Sequence, residues 1–233
     1  MFYEKSVRRR LARMFASTLL MIVFSGLMFQ TLSAHPRKVL AEFFTNTGCP
    51  LCGQWIPPVD RMLEQEYDDD EYVYLSYHTW WPDMHDPWYI ENYERHLPGI
   101  DDIITRVAYY GYDQFMGVPS FFFDGTRVRY GNPLQSFLDR IRDLIDDRLR
   151  EESPLELQVE TEISGEELTT TVHVTSDEDL SDLDLFTVLC EVFVEYRAPS
   201  RQTEFRGNVL DLSLIHISEP TRPLYISYAV FCL

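Results

Sequence analysis

The chain has 233 residues, 45% of them hydrophobic, and carries a formal charge of −18 at neutral pH. It is long enough for one full domain and part of a second, and apolar enough to bury a core. So acidic a protein repels phosphate backbones and anionic lipid, so nucleic-acid binding is excluded from the expectations.

The charge is unevenly spread. Residues 1–34 hold five basic side chains (Lys5, Arg8, Arg9, Arg10, Arg13) against Glu4, which leaves 15 basic and 37 acidic residues beyond them, a net of −22. The basic cluster runs into the apolar stretch Met14 to Phe29 and then "QTLSA", ending at Ala34. That is the pattern of an export signal. Cleavage after Ala34 puts bulky Leu32 third before the cut, so 1–34 reads as either a signal peptide or an uncleaved anchor, with membrane contact confined to it. No cysteine near this boundary offers a lipid attachment point, and Arg8-Arg9-Arg10 hints weakly at a twin-arginine route. The rest of the chain then lies on the outer side of a membrane, where disulfide chemistry is permitted.

"RKVLAEFF" (37–44) is rich in β-favouring residues and predicts a strand. "CPLCGQWIPPVDRMLEQEY" follows as a helix, with Pro50 tolerable in its first turn and Pro57-Pro58 kinking it midway. "EYVYLSYH" (71–78) predicts a second strand. Thr79 to Gly117 divides into two helices broken near Pro98-Gly99, with Asp101 or Asp102 capping the second. "PSFFFDG" and "TRVRYG" form a hairpin about Asp124-Gly125. Pro133 to Glu152 is an amphipathic helix, with Leu134, Phe137, Leu138, Ile141, Leu144, Ile145 and Leu149 recurring every three or four residues. Beyond Pro154 the texture changes to alternating strands, "LELQVETEIS", "ELTTTVHVTS" and "LDLFTVLCEVFVEY", which suggests an antiparallel sandwich cut short.

The four cysteines are not equivalent. Cys49 and Cys52 stand where the first strand passes into the first helix. The helix start places the Cys49 sulfur over unpaired N–H groups and the positive end of the helix dipole, which favours thiolate. Cys52, one turn on, lies beside it and deeper, as a resolving thiol should. Cys190 shares an alternating face with Phe186, Val188, Val192 and Val194 and reads as a core thiol. Cys232 belongs to "LSLIHISEPTRPLYISYAVFCL" (212–233), which resembles a translated sequencing-library adapter and is read as an artefact of assembly.

Four features in order, "CPLC", Pro57 five residues after Cys52, "GVPS" (117–120) and the hairpin "FFFDGTRV", resemble the thioredoxin fold over about Lys38 to Leu149, with an enlarged helical insertion before "GVPS". At a finer level "VLAEFFTNTGCPLC", the "YH" after the second strand, Asp86-Pro87 and "GVPSFFFDG" are similar to the Omp-twenty-eight-like outer-membrane family and related secreted thioredoxin-like proteins. The expected fold class is therefore α/β, a thioredoxin-like domain over 35–152 followed by a partial β-sandwich over 153–211. The resemblance implies a location in the bacterial cell envelope, periplasmic or outer-membrane associated. It also implies a cis Val118–Pro119 bond facing the cysteines, whose exposed Val118 backbone could pair with an extended substrate strand. Glu42 stands about where the family keeps a buried acid beneath the dithiol. Buried, it would serve to shuttle the Cys52 proton.

The expected activity is thiol–disulfide exchange with cysteine-containing envelope proteins or a redox partner, carried by Cys49, Cys52, Pro119 and Glu42, without a cofactor. Val118, Trp80 and Trp81 are the candidate substrate-binding residues, the tryptophans joining Trp88 and Tyr89 in an apolar groove or simply capping the sheet. Two other readings stay open. One is a binding protein with a structural Cys49–Cys52 disulfide; the other is a copper- or zinc-handling module using Cys49, Cys52, His78 and His85, since two thiolates and two imidazoles suit either metal.

Overall fold

The structure is a computed structural model. It describes residues 35–89, 106–107, 109–110, 117–165, 167–217 and 224–231. The export-type segment 1–34, the "ENYERHL" stretch of the first helix expected between Thr79 and Gly117, and the Asp101 or Asp102 cap of the second lie outside these residues; Thr79 to Tyr89, which is described, is not helical. The described part is a mixed α/β structure.

Strand β1 (His35–Pro36) pairs with β6 (Glu152–Ser153), tying the start of the unit to the end of its second long helix. Strand β2 (Val39–Thr45) is followed by helix α1 (Pro50–Glu66) and by β3 (Tyr72–His78), which pairs with β2 in parallel. A hairpin of β4 (Ser120–Phe123) and β5 (Thr126–Val128) adds to the other edge of β2. Its turn has Asp124 at φ 44° and Gly125 at φ 75°, the left-handed pair that a two-residue hairpin connection demands. Helix α2 (Leu134–Leu149) follows. Its apolar stripe does what its spacing predicts: Phe137, Leu138, Ile141 and Ile145 are buried.

The sequence reading places residues 153–211 in a unit of their own. In the structure that stretch is divided between two sheets. Strands β7 (Leu155–Ser164) and β8 (Glu167–Ser176) form a separate sheet, whose third strand, β11 (Leu224–Phe231), lies within the adapter-like stretch 212–233. Strands β9 (Leu183–Glu195) and β10 (Glu204–Ile217) instead extend the first sheet to the order β5-β4-β2-β3-β10-β9. The physical reason lies in β3, which without β10 would expose a row of unpaired backbone groups. β10 meets it in parallel at Asn208 opposite Ser76. Gly207 makes the approach possible: its φ is 53°, and a Cβ there would sit 2.3 Å from the Tyr74 carbonyl oxygen.

The two faces of this sheet are distinct. Phe43 packs edge-on against Tyr74, Phe121 and Phe123, and Phe121 meets Phe137 of α2, which also touches Trp55 of α1. The alternate residue Phe44 stacks on Tyr77 and meets Phe122 and Tyr110, so the other face is met by the helical residues Arg106, Val107, Tyr109 and Tyr110. Cys190 is half-buried on that core together with Phe186 and Val188. Beyond it the stripe leaves the core, for Val192 is exposed and Val194 packs on a smaller cluster of Trp88, Ala198 and Phe205.

Candidate functional site

Cys49 is the N-cap of α1, with extended backbone (φ −86°, ψ 111°) and Pro50 in the first turn, where a missing N–H costs nothing. The Cys52 N–H donates to Cys49 Sγ at 3.2 Å, so a sulfur occupies the place usually filled by a capping oxygen. The Cys49 thiol is lowered from 9.0 to about 7: the Cys52 thiol donates to it, burial opposes, and the Cys52 and Leu51 N–H groups add to the lowering. The Cys52 thiol is pushed up instead, first by burial and then by the hydrogen bond and charge of Cys49, against a smaller opposing pull from Thr45 and the Asn46 backbone. The two sulfurs are free thiols of opposite character, an acidic one nearer the surface and a reluctant one beneath. Even so, Cys49 is only 3% exposed.

Across from them Val118–Pro119 is cis, and the Val118 carbonyl accepts from Cys49 Sγ at 3.6 Å. That contact uses the S–H proton, so it belongs to the thiol form. Trp80 packs against the main core, whereas Trp81 is 59% exposed with its ring beside Gly117. Trp88 and Tyr89 are buried. The open aromatic surface in this region is therefore Trp81 rather than a groove of four rings.

Glu42 is fully buried, but its partners are not the cysteines. Arg106 grips it with two bonds, Nε to Oε1 at 2.6 Å and Nη2 to Oε2 at 2.8 Å, while the Tyr77 and Tyr110 hydroxyls also donate to it. It lies on the sheet face met by Arg106 and Tyr110, while Phe43 next to it packs with Tyr74, Phe121 and Phe123. The groups that act on Cys52 are Cys49, Thr45 and Asn46. A carboxylate so fully paired is a structural ion pair with no spare lone pair for a proton relay to Cys52.

The four candidate metal ligands are not brought together. His78 is buried with both ring nitrogens engaged, Nδ1 to Asp86 Oδ2 at 2.8 Å and Nε2 to Asn208 Oδ1 at 3.1 Å. The His85 side chain is 96% exposed and leans on Asp83. Among the described residues no group of three or more His, Cys, Asp or Glu side chains is arranged to hold a metal ion.

The turn before Cys49 depends on residues that sequence reasoning passed over. Asn46 donates to the carbonyls of Thr79 and Asp83 and accepts from Gly48 and Asp83. Asp86 Oδ2 accepts the Thr47 N–H at 2.6 Å and its Oδ1 accepts the Trp88 N–H at 2.9 Å. From the far end of the chain, the Ser200 N–H donates to the Thr47 carbonyl at 2.9 Å, and the Ser200 carbonyl presses on Gly53, where a Cβ would lie 2.5 Å away. Asp86 carried a signal, as the acid of an Asp-Pro pair shortly after a strand-end histidine. Ser200 and Asn208 carried none.

No model of a known protein family matches the chain, and no curated protein matches it. Among solved structures it is similar to HBP35 of Porphyromonas gingivalis, with a TM-score of 0.56 and 16% identity over 85% of this chain. The match covers 65% of that protein's chain, just under two thirds of its length. At that identity the likeness is one of fold.

Proposed function

We propose that the protein is an exported thiol–disulfide oxidoreductase whose Cys49–Cys52 pair exchanges disulfides with cysteine-containing proteins of the cell envelope. The observation that carries the reading is the opposite tuning of the two thiols at the start of α1. A thiol near 7 is substantially ionised at neutral pH and still nucleophilic. The strand order β5-β4-β2-β3, with β2 and β3 parallel, β4 and β5 an antiparallel hairpin, and helices after β2 and β5, supports assignment to the thioredoxin fold.

In the mechanism, Cys49 thiolate attacks one sulfur of a substrate disulfide, forming a mixed disulfide and releasing the other sulfur as thiolate. Cys49 then carries no charge. Two of the three influences that hold the Cys52 proton, the hydrogen bond to Cys49 and the repulsion from its charge, disappear with it. Cys52 thereby becomes more acidic at the moment it must act; it gives its proton to solvent or to the released substrate thiolate and attacks Cys49 Sγ, breaking the Cys49–substrate bond and releasing the second substrate sulfur as thiolate. The products are the Cys49–Cys52 disulfide and the reduced substrate; the reverse sequence donates a disulfide. Val118, whose carbonyl contacts Cys49 Sγ, and the exposed Trp81, beside Gly117, are the surfaces a substrate segment would meet.

A second reading, a binding protein whose Cys49–Cys52 bridge is permanent, is favoured by the burial of Cys49. A redox titration separates the two. A potential between about −120 and −270 mV, with insulin-reducing activity abolished by Cys49→Ser, is the expected result. A potential below about −300 mV, or activity that survives Cys49→Ser, would replace it with the structural bridge.

A further inference from the structure

We infer that Asp86, held in place by His78 and Asn208, is a positioning residue for the attacking thiol. The inference rests on the dithiol reading above. The Thr47 peptide lies two residues before Cys49, and both of its polar groups are claimed: its N–H by Asp86 and its carbonyl by Ser200. Thr47, Asp86, His78 and Asn208 are all buried. A carboxylate persists at such a site only where donors surround it, and three do: the Thr47 N–H, the Trp88 N–H and the His78 ring. Asn208 closes the far side of the ring. With its amide turned over it donates through Nδ2, which otherwise has no partner, to His78 Nε2, and neutral His78 then gives Nδ1–H to Asp86. Either orientation keeps the imidazole between the same two side chains.

The relay reaches Cys49 through the backbone. Stabilisation of the thiolate requires the first-turn N–H groups to point at Sγ, and that depends on the extended N-cap conformation that the 46–48 turn delivers. Freeing Thr47 lets the cap relax and weakens the contact, so the thiol should become less acidic. The charge of Asp86 acts with the opposite sign: a nearby anion disfavours thiolate, and removing it alone should make the thiol more acidic. Position and charge are therefore distinguishable by direction.

The test is the pH profile of Cys49 alkylation in the full chain, read by peptide mapping, with circular dichroism as the check on folding. Asp86→Ala should move the midpoint up from about 7 by about one unit, a tenfold loss of thiolate at lower pH. Asp86→Asn still accepts the Thr47 N–H through its amide oxygen but lacks the charge, so its midpoint should fall slightly below wild type instead of rising. An unchanged midpoint in folded Asp86→Ala, or a downward shift in both variants, overturns the inference. If Asp86→Ala does not fold, Asn208→Ala decides: a smaller upward shift is expected, and no shift overturns it. A wild-type midpoint near the ordinary 9.0 would remove the dithiol reading itself, and the inference with it.

Discussion

On one face of the six-stranded sheet, Glu42 answers to Arg106, Tyr77 and Tyr110; at the carboxyl end of β3, Asp86 answers to His78, the Thr47 N–H and the Trp88 N–H. Both carboxylates are fully buried and both are saturated with donors. What separates them is the kind of donor. Among the described residues Glu42 is bound by side chains alone, those of Arg106, Tyr77 and Tyr110, so it locks helical residues to the sheet. Asp86 binds two backbone N–H groups, one of them two residues from Cys49, so it sets a loop. Burial and charge alone would nominate Glu42 as the acid of the dithiol; the hydrogen-bond partners assign that neighbourhood to Asp86.

The largest effect expected from breaking this contrast is Arg106→Ala. It leaves Glu42 buried without its counter-charge and should cost about 3–5 kcal/mol in urea unfolding, while the Cys49 alkylation midpoint stays where it was. A shifted midpoint in that variant would mean that the two carboxylates are coupled after all.

A smaller effect belongs to a third buried acid, Asp60 on α1. Burial pushes it up to about 7, against the opposing hydrogen bond from the Tyr74 hydroxyl at 2.7 Å. Its folded value lies above the unfolded 3.8, so the folded protein binds the extra proton between these limits. Stability is then fully present below about pH 4 and falls as pH rises through about 7. Asp60→Asn should raise the thermal midpoint at pH 8 by several degrees and leave it unchanged near pH 4. Equal effects at both pH values would count against a buried, titrating Asp60.

The smallest is Gly53→Ala. In an open helix this change gains up to about 1 kcal/mol, but here the new methyl meets the Ser200 carbonyl oxygen. The expected net result is a loss of about 1–2 kcal/mol together with faster alkylation of Cys49, as the 198–202 tip is pushed off the first turn of α1. A stabilised variant with unchanged alkylation would show that the tip does not bear on the dithiol.

The parts of the molecule that were legible in the sequence are those decided locally. The alternation in Leu155–Ser164 and Leu183–Glu195, the left-handed pair Asp124-Gly125 and the stripe of α2 each state their own conformation, and the boundaries follow closely. Cys49 and Cys52 were legible because a helix start acts on a sulfur within one turn. The partners of Glu42 and His78 were not, because Arg106 and Asn208 lie 64 and 130 residues away, and no periodicity records such a pairing. The same is true of β10, whose alternation would suit a separate sandwich as well as it suits the edge of β3. Pro57 and Pro58, where the sequence predicts a kink midway, lie inside the helix Pro50–Glu66, with Ile56 and Val59 beside them buried.

The bridge from His78 to Asn208 also carries a consequence for how the protein comes into being. A ribosome delivers both thiols long before it delivers Ser200 and Asn208, and closure of so distant a pair is among the slow steps of folding. Until β10 arrives, the turn ahead of Cys49 lacks its Ser200 bond and His78 lacks its outer partner. As the chain is synthesised, its more acidic thiol is therefore present before its setting can be complete, and the strand that completes it, β10, is the last of that sheet to be made.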